Sequence, residues 1–129
     1  MDKSTLFKGA FLGLFAVIFG ALGAHALKEV LLPEQLLSFE TGVRYQMYHA
    51  ILLIVLAVVI KNKNAKFLLA TVNLIFWGVV LFSGSIYLLT LKNLINVDYL
   101  KFAGPITPIG GILMVAGWFL LILEGLKRK

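Results

Sequence analysis

"TGVRYQMYHAILLIVLAVVI" (Thr41–Ile60) begins with a knot of polar side chains and then runs from Ala50 to Ile60 on hydrocarbon alone. A charge-free run of this kind reads as part of a bilayer crossing, since a hydrocarbon core about 30 Å thick takes roughly 20 helical residues. The same reading along the chain predicts spans at about residues 6–27, 42–60, 67–91 and 106–123. Of the 129 residues, 60% are hydrophobic and 14% are charged, against roughly 25% charged in soluble proteins. That apolar surplus exceeds what the core of one small domain can hold. The fold class expected is therefore an all-α membrane protein, a compact bundle of four transmembrane helices in a single domain spanning residues 1–129.

The chain has no cysteine, which excludes disulfides, thiolate nucleophiles and cysteine-based metal sites. Its formal charge of +6 comes from basic residues placed between and beyond the apolar runs, which is a topology signal and not a nucleic-acid footprint. Lys61, Lys63 and Lys66 lie between spans two and three, and Lys127, Arg128 and Lys129 close the chain. With Lys3 and Lys8 they make eight on one side, leaving Lys28, Arg44, Lys92 and Lys101 as four on the other. The positive-inside bias then puts both termini in the cytoplasm of a bacterial plasma or inner membrane. In the first outer loop, "LLPEQLLSF" (Leu31–Phe39) places Pro33 where it opens a helix, and a short surface helix is expected there. The basic start and "AHA" (Ala24–Ala26) also resemble a secretory signal; the first apolar run is longer than such signals carry, which favours its retention as a span.

Helical periodicity gathers Gly9, Gly13, Ala16, Gly20 and Gly23 on one side of span one, with Phe7, Phe11, Phe15 and Phe19 roughly opposite. Small residues let helix backbones approach in lipid, so this side is expected to pack and the phenylalanines to face acyl chains. Span four puts Gly110, Gly111, Met114, Gly117 and Trp118 on one arc, with Thr107 as an N-cap before Pro108. Span three aligns Asn73, Trp77, Gly84 and Tyr87; Gly84 is expected to pack against a helix, and the polar groups to meet another helix and not lipid. A faint likeness between "FGALGAHALKEVL" and "FSGSIYLLTLKNL" would fit a duplicated two-span unit.

The polar mouth of span two is the candidate site. Thr41, Arg44, Tyr45, Gln46, Tyr48 and His49 cover a broad arc, whereas Leu52, Leu53 and Leu56 deeper on that side are plain hydrocarbon. This predicts a polar cap at the outer rim, unlike a pore lined through the whole membrane. One reading has Tyr45 and Tyr48 anchoring the interface, Arg44 snorkelling, and Gln46 and His49 bonding to neighbouring helices. The alternative is a small transporter, channel subunit or pH or ligand sensor, in which His49 shares a pocket with His25 and a loop carboxylate such as Glu40. The spacing of the two histidines carries no metal-site pattern. No nucleophile elbow, zinc-protease motif, phosphate loop or dinucleotide fingerprint occurs, so neither catalysis nor a cofactor is expected.

Four ordered blocks, "GALGAHALK" (Gly20–Lys28), "FETGVRYQMYHA" (Phe39–Ala50), "LFSGSIYLL" (Leu81–Leu89) and "PITPIGG" (Pro105–Gly111), resemble the "domain of unknown function 423" family, which includes bacterial inner-membrane proteins and the transmembrane protein 256 branch. The resemblance implies a small multi-pass membrane protein with no established activity. Its motif positions fall on Gly23, His25, Thr41, Gly42, Tyr45, Gln46, His49, Ser83, Gly84, Thr107, Pro108 and Gly111. The expected function is thus that of a structural or interaction protein with its polar cluster at the outer end, in contact with membrane lipids and with a partner membrane protein or further copies of itself, and with no nucleic acid.

Overall fold

A computed structural model describes residues 1–61 and 65–127. Lys63, Arg128 and Lys129, which enter the charge asymmetry, lie outside the described residues. Four helices, each long and apolar enough to cross a membrane, make up most of the described residues: α1 (Lys3–Ala24), α2 (Pro33–Val59), α3 (Lys66–Ile95) and α4 (Ile106–Leu126). Short 3₁₀ turns at Leu27–Glu29 and Asp98–Ala103 join the first and last pairs. Asp2 caps α1, its carboxylate accepting from the Thr5 backbone N–H at 2.9 Å and from the Thr5 hydroxyl at 2.6 Å. Asn96, in the left-handed region at φ 53°, ends α3, a conformation that asparagine tolerates better than most residues.

Pro33 opens a helix, as the sequence predicts, with the Gln35 side chain accepting the Leu32 N–H at 3.1 Å. That helix does not stop at the surface. It runs unbroken to Val59, so the expected separate surface helix is instead the first part of α2. Glu34, Glu40 and Arg44 lower the local hydropathy without breaking the backbone pattern, because charge sets where lipid ends and not where a helix ends.

α1 packs along α2, α4 along α3, and α2 against α3, while α1 meets α3 only lightly. Among the described residues α1 and α4 do not meet, and the α2 and α4 backbones stay apart. The cross-section is a staggered parallelogram with α2 and α3 on its short diagonal. A symmetric duplication would set α4 against α1 as α3 is set against α2, so this packing gives the duplicated-hairpin reading no support. The core lies on the diagonal, where Leu53 and Ile75 are fully buried and Leu12, Val72, Val79 and Met114 close around them. The Asp2 N–H donates to the Ala57 carbonyl at 2.8 Å, and the Lys127 ammonium sits 3.8 Å from the Phe67 ring centroid. Both ends of the described chain therefore share the end of the bundle that holds the α2–α3 connection.

The glycine faces separate into tight and loose positions. A Cβ on Gly9 would lie 3.0 Å from the Ala50 carbonyl oxygen, and one on Gly110 only 2.3 Å from the Phe82 nitrogen. Gly23 and Gly117 are also closely packed, against Phe39 and Ile75. Gly13 and Gly20 would make ordinary contacts, Gly111 barely one, and Gly84 none within 4 Å, so Gly84 is not the packing residue expected. Gly78, which the sequence reading missed, is the partner of Gly110: its Cβ would meet the Gly110 carbonyl oxygen at 2.9 Å.

Candidate functional site

The polar residues of span two reach much deeper than an outer rim. Gln46 bonds to Leu12, close to the midpoint of α1, and His49 to Trp118, in the middle third of α4. The expected polar cap is thus a belt through the middle of the bundle.

Gln46 is buried and uses both ends of its amide. Its Nε2 donates to the Leu12 carbonyl at 2.8 Å, and its Oε1 accepts from the Tyr87 hydroxyl at 2.6 Å, joining α1, α2 and α3. On the other side of α2, His49 is fixed equally firmly. Its Nδ1 lies 2.7 Å from the Tyr45 carbonyl oxygen, and its Nε2 lies 3.1 Å from the Trp118 indole nitrogen on α4. A carbonyl can only accept and an indole N–H can only donate, so the ring is neutral with its proton on Nδ1. Two hydroxyl links complete the belt. Ser83 donates to the Gly42 carbonyl at 2.7 Å, and Ser85 pairs with Thr107 at 2.6 Å. Thr107 is therefore a tie between α3 and α4 and not the N-cap expected; α4 starts two residues earlier, at Ile106 after Pro105.

The remaining candidates stay outside this network. Arg44 donates to Thr41, and Thr41 donates to the Leu37 carbonyl, both within α2. Glu40, Arg44 and Tyr48 are exposed. His25 is exposed at the C-terminal end of α1. Gly23 packs at Phe39, which puts His25 near the level of Phe39, about 15 Å by helix rise from that of His49. The shared two-histidine pocket is overturned by this separation and by His49 being engaged on α4. Among the described residues no group of three or more His, Cys, Asp and Glu side chains could hold a metal ion.

Two features ran against or beyond expectation. The phenylalanine stripe of α1 is a ladder with neighbouring rings 4.9–6.1 Å apart. Its outer members face outward, as predicted, but Phe19 turns inward onto Tyr87 at 4.7 Å. Trp118 shared an arc with the α4 glycines in the sequence, yet nothing in local spacing could pair it with His49. Asn73 does meet another helix, accepting from the Lys8 ammonium of α1 at 2.8 Å.

Four apolar helices cross-linked by buried amide, imidazole and hydroxyl groups define a multi-pass all-α integral membrane protein. The family model described as "Protein of unknown function (DUF423)" matches residues 19–111. A UPF0382 membrane protein of Staphylococcus haemolyticus is 38% identical, with 97% of each chain covered. The UPF0382 membrane protein YwdK of Bacillus subtilis is 36% identical over 97% of this chain and 98% of its own. The UPF0382 inner membrane protein YgdD of Escherichia coli K12 is 31% identical over 99% of this chain and 93% of its own. No solved structure matches. The chain belongs to the DUF423 family, whose members here are UPF0382 membrane proteins, and its place is the bacterial cell membrane.

Proposed function

We propose that this chain is a structural or interaction protein, not an enzyme or a solute pathway. The observation that carries the reading is the closure of its polar belt: both ends of the Gln46 amide and both nitrogens of His49 terminate on groups of the same chain. A conduction path needs polar groups that face a solute or water, and here the Gln46 and His49 side chains face groups of the same chain. The belt supports a rigid scaffold whose outward apolar faces meet lipid and a partner membrane protein or another copy. His49→Ala is expected to destabilise the protein in detergent by about 1–2 kcal/mol, measured as a lower thermal midpoint, while wild-type liposomes show no proton or cation flux above empty ones. Unchanged stability with loss of a measurable flux would defeat the proposal.

The reading also places both termini in the cytoplasm, on the basis of the lysine asymmetry. Because the chain has no cysteine, single substitutions report topology cleanly. A membrane-impermeant maleimide should label Glu29→Cys in intact cells and Lys61→Cys only after permeabilisation. The reverse pattern would invert the proposed topology.

A further inference from the structure

The staggered cross-section leaves an open groove of about 500 Å³ where α2 and α4 stand apart. That size falls within the roughly 300–1,000 Å³ usual for small-molecule sites. Its wall is a run of rings. Tyr45 lies 5.1 Å from Phe82 and 6.2 Å from His49, and His49 lies 6.1 Å from Trp118. Gly111 widens the groove, since a Cβ there would meet only Phe82, at 3.9 Å. Ile112 and Val115 form an exposed apolar lip, so entry is from the bilayer. The His49 and Trp118 ring nitrogens satisfy each other. The Tyr45 hydroxyl, by contrast, has no partner among the described residues; the side chain is 42% exposed and its ring packs on Phe82, midway along α3. A phenolic O–H within hydrocarbon is costly until something accepts it.

We propose that this groove binds a lipid-soluble molecule carrying a flat ring with a carbonyl acceptor, the chemistry of a quinone. The ring stacks among Tyr45, Phe82 and Trp118, where offset and edge-on aromatic contacts are favourable, and its carbonyl accepts the Tyr45 O–H. A saturated acyl chain would fill the same space but leave that donor unmet. The proposal goes beyond the scaffold reading and does not depend on it.

The two tryptophans make the test direct, because Trp77 is on α3, is exposed, and does not line the groove. Menadione, a tail-free methylnaphthoquinone, is titrated into liposomes of Trp77→Phe, which keeps Trp118, and of Trp118→Phe, which keeps Trp77. Saturable quenching in the first and only proportional, collisional quenching in the second is expected. In the Trp77→Phe background, Tyr45→Phe should weaken half-saturation about fivefold, the loss of one hydrogen bond. Gly111→Leu and, independently, Val115→Trp should abolish the saturable phase by filling the groove, with helicity and thermal midpoint confirming that each variant is folded. Proportional quenching in both proteins, a saturable phase that survives a folded groove-filling variant, indifference to Tyr45→Phe, or equal displacement by oleic acid would each overturn the proposal.

Discussion

Gly110→Ala is expected to lower stability in detergent more than alanine at any other glycine of the chain. The added Cβ would stand 2.3 Å from the Phe82 nitrogen, 2.6 Å from the Gly78 carbonyl oxygen and 2.8 Å from the Phe82 Cα. All three are backbone atoms, so no side chain can rotate away; α3 and α4 must separate. Overpacking of a tight core costs roughly 1–3 kcal/mol and more when the backbone must move, so a loss of about 3 kcal/mol or more is expected. Gly84→Ala is the internal comparison. No atom lies within 4 Å of its added methyl, and alanine favours a helix over glycine by about 1 kcal/mol in water, so its thermal midpoint should hold or rise. A Gly110→Ala protein as stable as wild type would mean that α3 and α4 do not approach as described.

Removing Gln46 has the second largest expected effect, because one side chain joins three helices. Gln46→Leu keeps much of the volume but leaves the Tyr87 hydroxyl without its acceptor and severs the link to Leu12. Hydrogen bonds between transmembrane helices average about 0.6 kcal/mol and reach about 1.7. An unmet buried hydroxyl adds about 1 kcal/mol or more. Together these give an expected loss of about 2–3 kcal/mol in Gln46→Leu. Tyr87→Phe alone should cost about 1 kcal/mol, and the two substitutions together should cost less than the sum, since the second finds the pair already broken. Additive losses in this double-mutant cycle would show that Gln46 and Tyr87 do not act as a pair.

Hydrophobic run length was enough to reveal four spans, because the cost of placing backbone and charge in hydrocarbon writes itself directly into composition. It set span two at residues 42–60 while the helix itself begins at Pro33, because Glu34 and Glu40 lower the hydropathy of its first turns without ending the helix. Gly9, Gly110 and Gly117 were legible from their shared faces, whereas Gly78 has no small neighbour three or four residues away, and its role is set by Gly110 on another helix. The pairing of His49 with Trp118 was likewise out of reach, since it joins α2 to α4 across a gap where their backbones never approach. Both residues were visible; their meeting depends on how two hairpins stagger, which local sequence does not encode.

The central claim is that the Gln46 amide and the His49 imidazole are fully engaged by groups of the same chain. Nitrogen-15 NMR of labelled histidine in lipid-embedded protein, with His25→Asn removing the exposed ring, reads that claim at His49. A single neutral imidazole is expected, protonated at Nδ1, with Nε2 accepting from an indole N–H and that signal lost in Trp118→Phe. An Nε2-protonated or cationic ring exchanging freely with water would contradict it.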